Sequence, residues 1–349
     1  MTTLERHPMT PVAPPSVIQD FYTPEELDTI FGVIRDNGPW RLILAHHFAS
    51  TEEYLAVSGG KDRKADARLS DFTSPVFRGF LANDGVVFHP ELNEIYFGRK
   101  LLDTALSLHG AKYGMAHNLL FNLGGPSHSF DAGHFDTGSF RGMGLHNTPL
   151  WLMSVMAKSG LFDAWEVKTA QVITYFYKSD FAGGFTYWPD GPDGDPQRLR
   201  PPFWNTATLT DNSRMYHRRE SNGPVERRDC PELEMTSLLH SLPDGSWSVR
   251  NGDKEIARFD EADMRMLVHY TALLFDDIDD VRRYQNHTDD IDAERAIGML
   301  VSDMRAKGAT VEMPGDPMAD PAFIGQLTEF YAMAPSRYPA EAPLEVVGR

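Results

Sequence analysis

Two His-x-Asp motifs stand out among the side chains of this sequence that could do chemistry. Each of them, His134-Phe135-Asp136 and His287-Thr288-Asp289, places two metal-binding side chains two residues apart. On an extended segment, side chains at this spacing point to the same side and can bind one ion. Because the chain has 13 histidines and is rich in acids, about one such match is expected by chance. A third ligand and a strand context are therefore needed to indicate a metal site.

The surroundings of the two motifs differ. His287 lies in an acidic segment of helical pattern, and no histidine follows it in the sequence. His134 lies just ahead of a strand-rich region, and His217 stands at the end of a later strand-like run. Two histidines and one carboxylate leave positions of an octahedron open, as in non-heme Fe(II) oxygenases. We therefore predict that His134, Asp136 and His217 bind the metal and form the catalytic centre.

Strands are predicted between about residues 113 and 250, where they would position these ligands. Short runs rich in β-branched and aromatic residues, separated by Gly, Pro and Asp, are typical of antiparallel strands. Such runs occupy residues 171–177, 183–188, 204–210, 214–219 and 247–250.

Helices are predicted on both sides of this region. Thr23 is a candidate N-cap for a helix that ends near Gly38, and two further helices end at Gly110 and Gly160. From about Asp260 the apolar spacing again predicts helix, with one stripe from Met264 to Phe275 and another over residues 297–304. The expected regions are an N-terminal helical and mixed support (1–112), a β catalytic core (113–255) and a C-terminal helical extension (256–349), together forming one integrated domain.

The amino-acid composition argues against several classes of partner and of metal site. The 349 residues carry a formal net charge of −17, which repels nucleic acid and anionic membranes. The single cysteine, Cys230, cannot form an internal disulfide or a cysteine-based zinc site. Residues 1–16 contain four prolines and no continuous apolar stretch, so neither a signal peptide nor a membrane anchor is expected there. We expect a cytoplasmic protein that binds neither nucleic acid nor membrane.

The region from Tyr113 to Cys230 resembles the Fe(II)- and 2-oxoglutarate-dependent dioxygenase superfamily, in its prolyl-hydroxylase-like and phytanoyl-hydroxylase-like branches. The resemblance rests on the motif at His134, on the Tyr-rich segment 172–188 and on the run 210–217 that ends at His217. It implies a double-stranded β-helix, a jelly-roll (cupin-like) β core flanked by helices. It also implies Fe(II), O2 and 2-oxoglutarate, with 2-oxoglutarate converted to succinate and CO2.

The resemblance further implies a clamp for 2-oxoglutarate. In that family a basic residue about ten positions after the second histidine binds the distal carboxylate. Arg227 stands at that distance from His217 and Arg228 follows it, although both could instead belong to a solvated basic hairpin. If neither arginine binds, Arg250 or another clamp must be considered. Tyr175 and Tyr177 are expected either to line the cofactor pocket or to fill the barrel.

The resulting functional prediction is oxidation of an unactivated C–H bond, and the expected substrate is a small molecule. Asp136 supplies a carboxylate where a halide would otherwise bind, which favours hydroxylation, desaturation or ring closure over halogenation. Two alternatives stay open: a β-barrel metalloenzyme that does not use 2-oxoglutarate, and a noncatalytic metal-containing binding protein. Homo-oligomers could form through the C-terminal helices.

Overall fold

The computed structural model describes residues 9–48, 50–52, 54, 69–126, 131, 133–178, 183–201, 203–221, 223 and 230–333. The strands are β1 (Ser16–Ile18), β2 (Trp40–Leu42), β3 (Val76–Asn83), β4 (Val86–Val87), β5 (Tyr113–Gly124), β6 (Ser139–Phe140), β7 (Glu166–Tyr177), β8 (Phe185–Trp188), β9 (Gln197–Leu199), β10 (Phe203–Thr210), β11 (Tyr216–Arg219), β12 (Leu238–Ser241), β13 (Trp247–Asn251), β14 (Lys254–Phe259) and β15 (Arg265–Phe275). The helices are α1 (Pro24–Asp36), α2 (Leu69–Phe72), α3 (Asn93–Tyr96), α4 (Arg99–His109), α5 (Leu150–Ser159), α6 (Ile278–Asn286), α7 (Ala293–Ala306) and α8 (Pro321–Phe330), with short 3-10 helices at Ile43–His46, Pro90–Leu92 and Glu261–Asp263.

The helix ends follow the signals in the sequence. The Thr23 hydroxyl accepts a hydrogen bond from the Glu26 N–H, and the Glu26 carboxylate accepts one from the Thr23 N–H, so α1 begins with a capping box. Helices α4 and α5 end at Gly110 and Gly160, both in the left-handed conformation that glycine adopts without strain. These predictions are confirmed.

Two antiparallel sheets form the β core within the described part of the chain. The large sheet has the strand order β1-β10-β7-β15-β5-β3-β2-β12-β13-β14, with β4 on β3 and β6 on β7. The small sheet has the order β11-β8-β9, and an isolated bridge joins His134 to His217 beside β11. The mainly β core with flanking helices that the sequence predicts is therefore confirmed.

The predicted helical stripe from Met264 to Phe275 is wrong. The segment is the long strand β15, which pairs with β5 on one side and β7 on the other. A central strand buried on both faces loses the alternation of apolar and polar residues that marks a strand, so its apolar spacing can mimic a helix. The C-terminal helices accordingly begin at Ile278, whereas the sequence placed them from residue 256.

The two faces of the large sheet have different roles. One face packs against α1 and α4 in a core that includes Ile30, Leu101, Phe121, Phe176 and Tyr270. Because side chains alternate along a strand, the neighbours of these strand residues point to the opposite face. That second face carries the polar side chains described below.

A second apolar core supports the small sheet. Helices α5, α7 and α8 contribute Met156, Leu300 and Leu327 to a cluster that also contains Phe135 and Tyr216, the chain neighbours of the predicted ligands. Among the described residues, no helix is both long and apolar enough to cross a membrane.

Candidate active site

The predicted ligand segments lie side by side. The His134 N–H donates to the His217 carbonyl at 2.8 Å, and the His217 N–H donates to the His134 carbonyl at 2.9 Å. Between the two ligands of the first segment, Phe135 turns away and packs on Tyr216, with ring centroids 5.3 Å apart. The alternation of an extended segment therefore buries Phe135 in the second core and leaves His134 and Asp136 on the opposite side.

The three side chains converge on one point. Ligand atoms of His134, Asp136 and His217 all lie within 4.8 Å of one another, and this is the one group of three such residues that the described part of the chain brings together. Asp136 Oδ1 is 3.7 Å from Nε2 of each histidine. Neighbouring ligands of an octahedral ion are about 3 Å apart when its bonds are about 2.1 Å long. The 3.7 Å separations exceed this spacing by about 0.7 Å, so the three side chains would bind one ion after moving closer together.

The remaining ring nitrogen of each histidine is already bonded. His217 Nδ1 lies 2.9 Å from the Met215 carbonyl oxygen, and His134 Nδ1 lies 3.3 Å from the Asp131 carboxylate. Carbonyl and carboxylate oxygens only accept, so each Nδ1 carries a proton, and Nε2 is the ring nitrogen that a metal ion would bind in place of a second proton. This is the arrangement that metal-binding histidines show in proteins.

Asp131 is itself fixed by its neighbours. Its carboxylate accepts hydrogen bonds from the backbone N–H groups of Gly133 at 2.8 Å and Arg219 at 3.3 Å. Gly133 has a φ of +91°, and a Cβ there would lie 2.6 Å from the Tyr216 ring. The glycine is therefore required for the turn that places Asp131 against His134. Asp131 was not among the site residues predicted from the sequence.

Charge around the triad favours ionised carboxylates. Burial alone raises the pKa of Asp136, but His217, His134, His269 and Arg78 together hold it below its ordinary value. Burial lowers the pKa of His134, yet the adjacent Asp131 carboxylate outweighs it and raises that pKa to about 9. For His217, burial and the nearby His134 lower the pKa. The half-exposed His134 side chain marks the side of the triad that faces solvent.

The predicted clamp residues divide into two groups. Arg227 and Arg228 lie outside the described residues. Tyr175 and Tyr177 are buried on β7, and both rings face the guanidinium of Arg265, whose Cζ lies 5.7 and 5.4 Å from their centroids. Arg265 is the first residue of β15, and its buried Nε has no hydrogen-bond partner among the described residues.

Tyr175 lies between Arg265 and the triad in electrostatic terms, because the charges of Arg265 and Asp136 both affect its pKa. Burial raises the pKa of Tyr175 to about 12, the Arg265 charge opposes this rise, and the Asp136 charge adds to it. Tyr175 therefore lies within electrostatic range of both the arginine and a predicted metal ligand. Arg265 was not predicted from the sequence, because the apolar spacing of its segment indicated a helix.

A second basic group faces Asp136 from β3. Arg78 Nε donates to Asn122 Oδ1 at 2.8 Å, and its Nη1 lies 2.9 Å from His47 Nε2. Burial and the neighbouring Arg78 lower the pKa of His47 to about 3, and the pKa of the buried His269 falls to about 4, chiefly through burial. Both histidines are therefore neutral near pH 7.

The second His-x-Asp motif has a structural role. Asp289 forms a two-pronged ion pair with Arg141, with Nε–Oδ1 at 2.7 Å and Nη2–Oδ2 at 2.9 Å. His287 Nδ1 instead contacts Asp290 at 2.8 Å. These contacts tie the segment between α6 and α7 to Arg141, which follows β6, and they direct His287 and Asp289 to different partners.

Comparisons with known proteins found similar structures but no match by sequence. No protein-family model and no curated protein matches the sequence. The structure resembles a 2OG-Fe(II) oxygenase family protein from Burkholderia pseudomallei (11% identity, 75% of this chain and 86% of that chain, TM-score 0.40). It also resembles the non-heme alpha-ketoglutarate-dependent carbocyclase SnoK from nogalamycin biosynthesis (14%, 77% and 85%, TM-score 0.38) and HygX from Streptomyces hygroscopicus, solved with nickel and 2-oxoglutarate bound (8%, 75% and 84%, TM-score 0.37).

The names of the first two structures agree with the superfamily that the sequence resembles. Because their TM-scores lie below 0.5, we derive the function of this chain from the residues of its own site.

Proposed function

We propose that this protein is a non-heme Fe(II)- and 2-oxoglutarate-dependent oxygenase that oxidises an unactivated C–H bond of a small molecule. The observation that carries the proposal is the convergence of His134, Asp136 and His217, with each Nε2 3.7 Å from Asp136 Oδ1 and each Nδ1 hydrogen-bonded elsewhere. Two imidazoles and one carboxylate suit Fe(II) and leave positions for further ligands.

The strand topology supports a double-stranded β-helix as the scaffold. From Tyr113 to Phe275 the chain alternates between the sheets: β5, β7, β10 and β15 lie in the large sheet, while the His134 segment, β8–β9 and β11 lie in the small one. Two facing antiparallel sheets built by alternating strands are typical of jelly-roll and cupin folds.

Arg265 is the residue that we propose as the 2-oxoglutarate clamp. A buried guanidinium with an unpartnered Nε is costly unless an anion pairs with it. An arginine can form a two-pronged contact with a carboxylate, and the Tyr175 and Tyr177 rings restrict it to one side. Arg227 and Arg228 remain the alternatives from the sequence.

The protein's own residues position and shield the reaction. When bound, Fe(II) with 2-oxoglutarate and O2 supplies the oxidising power, and 2-oxoglutarate becomes succinate and CO2. His134 and His217 would hold the ion through Nε2, while Asp131 and the Met215 carbonyl keep their rings oriented. The buried Phe185 ring, 5.4 Å from His217, limits water near that ligand.

Asp136 bears on the type of oxidation. Asp136 would hold the ion at a position that a halide would otherwise need, so we propose hydroxylation, desaturation or ring closure as the outcome. Product analysis in the presence of chloride should accordingly give no chlorinated compound, and 18-oxygen gas would identify hydroxylation by incorporation of one labelled atom.

Calorimetric titration with 2-oxoglutarate tests the proposal without knowledge of the substrate. The Fe(II)-loaded protein, kept anaerobic, should bind 2-oxoglutarate, whereas the metal-free protein and the His217→Ala variant should bind it at least tenfold more weakly. Metal binding without 2-oxoglutarate binding would indicate a different metalloenzyme. Binding of both with no succinate formed in air, across a panel of small molecules, would indicate a noncatalytic protein.

A further inference from the structure

Arg78 is a partly buried cation on the site face of the large sheet. It pairs in register with Asn122 on β5, which in turn pairs with Leu267 on β15. Residues directly opposite in antiparallel strands point to the same face. Arg78 therefore faces the same side as Arg265 and His269, which follow the same alternation along β15.

The hydrogen-bond partners of Arg78 are neutral. Nε donates to the Asn122 side-chain oxygen and Nη1 to the neutral His47 ring, while Nη2 has no partner among the described residues. Neither of these hydrogen bonds of the Arg78 guanidinium is to a carboxylate. Against the effect of burial, the Asp136 carboxylate raises the pKa of Arg78 through its charge, but the proposed function commits Asp136 to the metal.

In this environment the guanidinium of Arg78 is held in place and can bind an anion from outside the chain. Asn122 and His47 occupy two of its donors and fix the plane of the guanidinium, which leaves the Nη2 edge available. A positive charge removed from water is stabilised when a carboxylate pairs with it, and a fixed guanidinium loses little freedom on pairing.

Arg78 and Arg265 lie too far apart for one carboxylate to pair with both. The two arginines lie on strands β3 and β15, with β5 between them, and two residues apart in register. Two inter-strand spacings separate their backbones by roughly 10 Å. A 2-oxoglutarate molecule anchored to the metal has one distal carboxylate and can pair with one of these arginines.

We propose that the substrate of this enzyme carries a carboxylate group, and that Arg78, held by Asn122 and His47, binds it on the side of the triad away from Arg265. The proposal rests on the proposed function and deepens it by giving the substrate a chemical class. It makes Arg78 a substrate-binding residue whose loss should leave metal and 2-oxoglutarate binding intact.

Matched pairs of acids and amides test the proposal in protein that is loaded with Fe(II), saturated with 2-oxoglutarate and kept anaerobic. The probes are acetate, 3-methylbutanoate and benzoate, each compared with its carboxamide by calorimetric titration. Saturation with 2-oxoglutarate keeps the probes away from its own clamp. Acids should bind the wild type about tenfold or more tightly than amides, and Arg78→Gln should remove that preference.

The controls separate the possible failures. Arg99→Gln changes an exposed arginine on α4 and should keep the preference. Arg78→Lys retains the positive charge and should keep part of the preference for acids, so this variant still tests the proposal if Arg78→Gln does not fold.

Four results would contradict the proposal or the function on which it rests. Equal binding of acids and amides by the wild type, or an unchanged preference in a folded Arg78→Gln protein, would overturn the proposal. So would loss of 2-oxoglutarate binding in Arg78→Gln with normal binding in Arg265→Gln, since Arg78 would then be the co-substrate clamp. Failure of the proposed function itself would appear separately, as absence of 2-oxoglutarate binding in the wild type.

Discussion

The peptide groups of His134 and His217 hydrogen-bond to each other in both directions, at 2.8 and 2.9 Å. Two predicted metal ligands from distant parts of the sequence are thus placed by backbone pairing. Their side chains contribute little to this pairing, and the large apolar cores on either side do not depend on an ion. The site should therefore lose its metal without loss of the fold.

Replacement of the ligands gives the first prediction. His134→Ala, Asp136→Ala and His217→Ala should each abolish turnover and greatly weaken Fe(II) binding, while circular dichroism shows a folded protein. His287→Ala is the control, because His287 belongs to the second His-x-Asp motif and contacts Asp290 on the surface. Full activity of His217→Ala at saturating iron would contradict the ligand assignment.

Asp131 provides the second prediction. Removal of a carboxylate that orients a metal-binding histidine typically costs 10–100-fold in metal affinity, so Asp131→Ala should weaken Fe(II) binding by about that factor. Asp290→Ala is a matched control, since Asp290 also contacts a histidine three residues away in sequence, at 2.8 Å. Equal metal affinity of the Asp131→Ala and Asp290→Ala proteins would show that Asp131 does not act on the site.

Arg265 provides the third prediction. Arg265→Gln should raise the KM for 2-oxoglutarate roughly tenfold or more, corresponding to about 1.5–3 kcal/mol for a charge-assisted hydrogen bond. Arg265→Lys should restore part of the affinity, because lysine cannot make the two-pronged contact. Arg258→Gln, on the exposed strand β14, should have no effect. An unchanged KM in Arg265→Gln together with a raised KM in Arg227→Ala or Arg228→Ala would move the clamp to the position inferred from the sequence.

The site residues differ in how well local sequence patterns could predict them. His134 and Asp136 could be found because their spacing is local, and His217 because a strand-like run precedes it. The spacing from His217 to the proposed clamp Arg265 depends instead on what lies between β11 and β15. Here β12, β13 and β14 form an antiparallel extension at the β2 edge of the large sheet. Counting residues from His217 cannot reveal such an insertion.

The position of Arg78 near the site could not be predicted from the sequence for a different reason. Its relation to the site arises from the pairing of β3 with β5, a long-range contact that periodicity does not encode. The fold could be predicted where helix caps and aromatic strand runs gave local signals, as at Thr23 and over residues 171–177. It could not be predicted for β15, whose burial on both faces removed the local signal.

Acid sensitivity gives the fourth prediction. His47 has a pKa of about 3 in the folded protein, below the ordinary value of 6.5, because of burial and the adjacent Arg78. The unfolded chain therefore binds a proton at His47 at a higher pH than the folded chain does. The stability associated with neutral His47 is fully present above about pH 6.5 and is lost as the pH falls toward 3, by at most about 1.4 kcal/mol per pH unit.

Denaturant unfolding of the metal-free protein at pH 7.5 and pH 5.5 measures this effect. His47→Gln should lose less stability between the two values than the wild type does. His146→Gln, at an exposed position, should match the wild type. An equal loss in wild type and His47→Gln would contradict a neutral His47.

Diffraction from anaerobic crystals soaked with Fe(II) and 2-oxoglutarate tests the central claim most directly, because one experiment locates the metal, the co-substrate and the clamp. We predict one ion bound by His134, Asp136 and His217, with the keto acid end of 2-oxoglutarate at the ion and its distal carboxylate at Arg265. An ion bound elsewhere, or an occupied triad with no 2-oxoglutarate beside it at saturating concentration, would contradict the account.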